Sequence, residues 1–300
     1  MRAFGAIYLT GCLTATLSLA NAAEPDRFAD VSVKSNLVGG SVYMLSGAGG
    51  NMAVSVGKDG TLLVDDEFAP LAERIQAAIT ALGGGPPKII LNTHFHDDHT
   101  GGNASFGERG VIIANEQVRY RLLNDSALPR SALPIVTYAD RIRVQFNDDE
   151  IDVIHLPSGH TDGDSIVWFR NANVLHTGDL FFNGMFPFID VENGGGDIDG
   201  YIADVAKILE MVPADARIIP GHGPLANVVE LGEFHDMLKA TVSNIKARLT
   251  AGESIDSIVA NGLGPEWASF AGGFITEEKW IRIVQAGMQQ APDGNPTRRR

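Results

Sequence analysis

Thr93-His94-Phe95-His96-Asp97-Asp98-His99-Thr100-Gly101-Gly102 decides how this chain reads. Three imidazoles and two carboxylates fall between positions 94 and 99. Such a density of nitrogen and oxygen donors suits zinc or iron. The preceding Lys88-Ile89-Ile90-Leu91 has the form of a short buried strand, so the donors are expected where a strand ends and a loop begins. His94 and His96 are two apart and share one side of an extended backbone. Asp98 and His99 are expected to turn inward from the loop. Further donors recur downstream: His160 in Ser158-Gly159-His160-Thr161, Asp179 in Thr177-Gly178-Asp179-Leu180, and His222 in Pro220-Gly221-His222-Gly223. Each follows a short apolar run and sits among glycines, which permit positive φ and a close approach of backbone to an ion.

Taken in order, His-x-His-x-Asp-His, Gly-His-Thr, Gly-Asp and Pro-Gly-His resemble the motifs of the metallo-β-lactamase superfamily, over roughly residues 30 to 225. Asp65, ending the strand-like Thr61-Leu62-Leu63-Val64, matches that family's first motif. The resemblance implies an α/β fold, the αββα sandwich, with two mixed β-sheets flanked by helices and a metal site in the cleft at one edge of the sheets. It implies that His94, His96 and His160 hold one metal, that Asp98, His99 and His222 hold a second, and that Asp179 bridges them. The expected cofactor is Zn2+, two per chain. A hydroxide between the ions would attack a carbonyl (amide or lactam, ester or thioester), because zinc lowers the pKa of bound water to about 7. Asp98 and Asp65 are the candidate catalytic carboxylates. Asp98 would also accept or relay the proton, and Asp65 would act from behind, orienting the loop or a ligand histidine.

The same residues separate branches of the superfamily. The best-known lactamase subclass has Cys where Asp179 stands, Arg or another residue at His99, and a substrate-binding Lys three positions after the Cys; here that position is Phe182. The usual carboxylate anchor for a lactam drug is therefore missing. Lactam hydrolysis is expected to be weak, and Phe182→Lys to raise it. Glyoxalase-type thioesterases share all seven ligands, but the basic residues Lys239, Lys246, Arg248, Lys279 and Arg282 are scattered among acids and form no obvious glutathione-binding cluster. Persulfide dioxygenases keep the histidines around one iron. Flavin-linked di-iron members have Glu where His96 stands, and the quorum-signal lactonases have Tyr where Phe182 stands. The chain reads as a β-lactamase-like zinc hydrolase, with a glyoxalase-type thioesterase or a mono-iron persulfide dioxygenase as the alternative.

The chain has 300 residues, room for one large domain, and its 44% hydrophobic and 20% charged content is that of an ordinary globular protein. A net charge of −14 offers no basic footprint, which argues against a nucleic-acid partner and leaves a small-molecule substrate. Arg2, the small and apolar residues 4–20 and Ala20-Asn21-Ala22 have the form of a signal peptide over residues 1–22, with a single domain over 23–300. The mature protein is then expected in the periplasm or outside the cell. The apolar stretch is short for a membrane span and is interrupted by Thr10, Thr14 and Ser18. Leu9-Thr10-Gly11-Cys12 resembles a lipoprotein box and is the weaker reading. Cys12 is the one cysteine, so a chain cut after Ala22 has no disulfide and no thiolate ligand.

Patterning predicts strands over 31–45 and 52–65, a helix over 70–82, a strand over 110–114 with a helix after it, and hairpins over 141–156 and 165–176. A helix over 199–212, a strand over 216–219 and a mainly helical part over about 227–290 complete it. His155, His176 and His235 read as structural, and Asp66, Asp97 and Asp164 as loop hydrogen-bonders. Gly194-Gly195-Gly196-Asp197 lacks the Lys-Ser/Thr ending of a phosphate loop and reads as a flexible loop leading to an Asp N-cap. Substrate-facing or core roles are both open for Met44, Leu45 and Met52 around a loop that is mobile in the lactamase branch. They are equally open for Phe181, Phe182, Phe186 and Phe188, and for Trp267, Phe270 and Phe274.

Overall fold

Parallel neighbours in a sheet need crossover connections, whereas antiparallel ones need only turns, and both kinds occur here. The computed structural model describes residues 27–290. The expected signal peptide and Cys12 lie outside the described residues. Residues 27–30 form a short turn, and the chain from Val31 onward forms a compact unit of its own.

The first sheet opens with four antiparallel strands, β1 (Lys34–Gly39), β2 (Val42–Ser46), β3 (Met52–Gly57) and β4 (Gly60–Val64). Helix α1 (Ala72–Ala81) then crosses over to β5 (Ile89–Leu91), which runs parallel to β4. The short α2 (Asp97–Thr100) and α3 (Asn103–Phe106) lead to β6 (Val111–Asn115), and α4 (Glu116–Leu122) leads to β7 (Val136–Tyr138), each strand parallel to the last. The second sheet contains β8 (Arg141–Phe146), β9 (Asp149–His155), β10 (Ser165–Phe169), β11 (Val174–His176), β12 (Arg217–Ile219) and β13 (Ala226–Asn227), in the order β13-β12-β11-β10-β9-β8. Its one parallel pair, β11 with β12, is joined through α5 (Ile198–Met211). Helices α6 (Val228–Thr250), α7 (Ile255–Asn261) and α8 (Glu277–Gln289) follow.

Val42, Leu62, Val64 and Leu91 from the first sheet meet Val153, Val167, Phe169 and Ile219 from the second in one inner core. A second core lies on the other face of the second sheet, where Trp168, Leu175 and Ile218 pack against Tyr201, Val205, Phe234 and Trp280 of the helices. Covered on both faces, β10 is buried at every position. This is the two-sheet sandwich with flanking helices that the motifs implied.

Two expected elements differ in detail. Residues 31–45 do not form one strand, because Gly40 takes a left-handed φ of 53° and turns the chain into the β1–β2 hairpin. The helix expected from Pro70 starts at Ala72, with Pro70 in a preceding 3-10 turn, since proline is tolerated at a helix start and not inside it.

Parallel strands in the two sheets bring their carboxyl ends to one edge. Asp65 follows β4, His94 to His99 follow β5, Asp179 follows β11 and His222 follows β12. Sites in α/β sheets form outside such strand ends.

The helical layer has a keystone in Trp280, which is fully buried, stacks on Phe186 at 5.9 Å and donates its indole N–H to Thr241 Oγ1 at 3.0 Å. Trp280→Ala should lower unfolding stability by about 3–5 kcal/mol in a denaturant titration. A loss under 1 kcal/mol would mean that the layer closes without it.

Candidate metal centre

Two groups of donors meet at this edge. The ligand atoms of His94, His96, His160 and Asp179 lie within 4.8 Å of one another, and so do those of Asp98, His99 and His222. Asp179 stands between the groups. Its Oδ2 is 3.8 Å from His94 Nε2 and 3.4 Å from His160 Nε2, while its Oδ1 is 3.0 Å from His99 Nε2 and 3.4 Å from His222 Nε2. Asp98 Oδ2 lies 3.3 Å from His222 Nε2 and 3.8 Å from His99 Nε2. All seven residues singled out as ligands are thus brought together. Asp98 and His99 do so from the helical turn α2, with His96 as its N-cap residue, and not from a loop.

Each ring of the first His-x-His-x-Asp-His run is tied from behind, as is His160. His94 Nδ1 meets Thr93 Oγ1 at 3.0 Å, His99 Nδ1 meets Asp65 Oδ2 at 2.8 Å, and His160 Nδ1 meets the Phe188 carbonyl at 2.7 Å. His96 is held by its other nitrogen, Nε2, at 3.1 Å from Asp190 Oδ2. The nitrogens left to face the centre are therefore Nε2 of His94, His99 and His160 and Nδ1 of His96, the arrangement that outer partners impose on metal ligands. Asp65 also accepts from the Thr93 amide at 2.8 Å and its hydroxyl at 2.7 Å. It is fully buried behind His99, with a left-handed φ of 59°, so it positions groups and does not reach a substrate.

The donor set fits divalent cations. Buried polar atoms almost always find a hydrogen-bond partner, yet His94 Nε2 is buried without one, and His99 Nε2 and Asp179 Oδ1 face each other at 3.0 Å outside hydrogen-bond geometry. The backbone is drawn in tightly around them. A Cβ on Gly50 would fall 2.2 Å from His99 Cε1, and one on Gly221 would fall 2.1 Å from Asp179 Oδ1. Without metal, protons take the place of positive charge. Burial lowers His222, but Asp179 and Asp98 outweigh it and carry His222 up to about 9. His99 is lowered by burial and raised more by Asp179, Asp98 and Asp65, well above the usual histidine range. Burial raises Asp179, but His222, His99, His160 and His94 hold its carboxyl well below the usual range. Burial takes His160 down to about 4 and, with His99, keeps His94 neutral.

Sequence reasoning missed Asp190, Thr93 and the Phe188 carbonyl. No local signal marks Asp190, which sits in the apolar run Phe188-Ile189-Asp190-Val191. The structure also decides several readings that the sequence leaves open and corrects one. Met44, Leu45 and Met52 belong to the core, and the loop between β2 and β3 is tied down, with the Ala48 and Gly49 amides on Glu67 Oε2 at 3.1 and 3.2 Å and the Asn51 side chain on two carbonyls. Phe182 is fully buried and stacked on His222 at 5.0 Å, so Phe182→Lys would bury an ammonium group and destabilise the fold, and would supply no anchor. Phe181 and Phe186 are core as well, Phe270 packs on Phe186, and Trp267 packs on Phe270. Phe188 and Phe274 alone of these aromatic residues keep exposed surface beside ligand rings. His155, His176 and His235 belong to neither donor group. His155 Nδ1 faces the Asp164 carbonyl and His176 Nε2 the Asn51 carbonyl. Asp164 accepts from Thr161, Asp197 caps α5 by accepting from the Gly200 amide, and Asp66 is buried with its carboxyl pushed well up by burial and then by Asp65.

The model of the metallo-beta-lactamase superfamily matches residues 47–222. This chain belongs to that superfamily. It is 27% identical over 235 residues to a hydroxyacylglutathione hydrolase of Rhodospirillum rubrum, covering 74% of this chain and 78% of that one. It is 24% identical over 156 residues to a type 2 metallo-beta-lactamase of Bacillus sp. (strain 170), a match spanning half of this chain (50%) and 57% of that enzyme. Among solved structures, a metallo-beta-lactamase from Pontibacter korlensis superposes with a TM-score of 0.61 at 18% identity, covering 69% of this chain and 99% of that one, which establishes likeness of fold.

Two predictions follow from this geometry. Asp190→Asn should weaken metal retention about 10–100-fold in a chelator competition while the thermal midpoint of the metal-free protein stays nearly unchanged; unchanged retention would mean that His96 is oriented by its other neighbours. In metal-free protein, His222 and His99 have pKa values above those of the unfolded chain. Their contribution to stability is then complete below the ordinary histidine pKa, near 6.5, and the part due to His222 is lost as pH rises through about 9. Chelated protein should therefore lose melting temperature between these limits, and metal-loaded protein should not. A flat profile for the chelated protein would contradict the assigned charges.

Proposed function

We propose that this chain is a zinc-dependent hydrolase of acyl compounds, with two ions held by His94, His96 and His160 and by Asp98, His99 and His222, and with Asp179 shared. The observation that carries this reading is the placement of the two Asp179 oxygens, each turned toward a different group of imidazoles. Zinc bound at such a site supplies a Lewis acid for a carbonyl oxygen and lowers the pKa of a water.

The chain's own groups then divide the remaining work. Asp98 is the most exposed donor, with 27% of its side chain accessible, against 19% for His96 and 14% for His222. Substrate therefore approaches over these three side chains, and the Asp98 carboxylate is placed to take a proton from the attacking water and pass it to the leaving group. His94, His99, His160 and Asp179 form the buried floor that excludes bulk water from behind. Asp65 fixes the His99 ring, and the Tyr201 hydroxyl donates to the Asp179 carbonyl at 2.8 Å, fixing that turn.

Thioesters and esters are favoured over lactams. The alignment with the hydroxyacylglutathione hydrolase, whose name describes a thioester substrate, covers 74% of this chain, against 50% for the lactamase. The signal-like start supports action in the periplasm or outside the cell.

His94→Ala and Asp98→Ala should each lower thioester or ester turnover by at least about a hundredfold, with circular dichroism showing the fold retained. Full activity in either variant would sink the metal mechanism.

A further inference from the structure

Phe274 has an unusual position for a large aromatic residue. Half of it, 51%, is exposed, yet its ring is 5.3 Å from that of the ligand His222 and 5.9 Å from that of buried Phe182. Its backbone is fixed on both sides. Gly273 packs so closely on Met185 that a Cβ there would come within 2.9 Å of it, Ile275 is buried, and Lys279 Nζ donates to the Phe274 carbonyl at 3.4 Å. The ring is thus presented to solvent by a held backbone, beside His222, whose Nε2 is 3.3 Å from the Asp98 carboxylate. On the opposite side of the centre, partly buried Phe188 lies 5.9 Å from His96 and 5.7 Å from His160.

We propose that Phe274, backed by Phe182, is a specificity-determining wall that selects substrates carrying an apolar acyl or aryl group next to the scissile carbonyl. This rests on the hydrolase reading above. An apolar group lying on the exposed face of Phe274 removes that face and itself from water, a gain that a small or charged group does not make. The wall stands on the His222 side, where Asp98 is also reachable, so it acts on the part of the substrate that lies over the second donor group.

The test uses equilibrium binding, so it does not depend on knowing the substrate. Zinc-loaded protein is titrated with acetohydroxamate and with octanohydroxamate, which share a metal-chelating head and differ only in the tail; displacement of one by the other confirms a common site. The wild-type chain should bind the octanoyl compound about tenfold or more tightly, Phe274→Ala should reduce that preference to about twofold, and Phe274→Trp should keep it. Phe274 is half exposed, so neither substitution opens a core cavity. A tail preference that is absent in the wild type, or that survives in Phe274→Ala, overturns the wall and leaves the metal centre standing. Failure of both compounds to bind overturns the metal centre and the wall together.

Discussion

The Asp179 carboxylate is the constraint from which the rest of the centre follows. One small anionic group faces His94 and His160 with one oxygen and His99 and His222 with the other. Burying it is costly unless it is paired, and four imidazoles contributed by three separate segments supply the pairing. Those segments must therefore meet within a few ångströms, and the turn after β11 must lie close against the turn after β12. Gly221 makes that approach possible, since a Cβ would strike Asp179 Oδ1. The isolated bridge between Phe182 and His222 joins the same two turns through the backbone.

The sandwich supplies this meeting point by its strand directions. Parallel pairing of β4 with β5 in one sheet and of β11 with β12 in the other places four strand ends at one edge, with an apolar core behind them. Polar residues just beyond those ends are then buried and close together. The second layer of contacts does as much as the first. Asp65, Thr93, Asp190 and the Phe188 carbonyl leave His94, His96, His99 and His160 one nitrogen each with which to face the centre.

The architecture, and the meeting of seven histidines and aspartates at one sheet edge, were legible in the sequence because these residues stand at strand ends among glycines and match, in order, the motifs of a known superfamily. His176 was separable from them for a similar reason: it lies within the strand run, and its ring nitrogens are taken by the Asn51 carbonyl and the Gly178 amide. Asp190 was not legible, since a lone carboxylate in an apolar run reads the same whether it meets water or a ligand ring. The aromatic residues divide on burial, a tertiary property. Phe182 and Phe274 are indistinguishable as letters, but one is sealed under His222 and the other stands beside it half in solvent. Position 182 shows the same limit, because alignment to a lysine-bearing position says nothing about which way the local chain faces.

The measurement that tests the central claim most directly is the metal content per chain of protein purified without chelator, compared with its Asp179→Ala variant. A shared carboxylate between two complete donor groups predicts about two zinc ions per chain, with both occupancies reduced together in the variant. About one iron and little zinc per chain, or loss of a single ion in the variant with the other held as tightly as before, would contradict it.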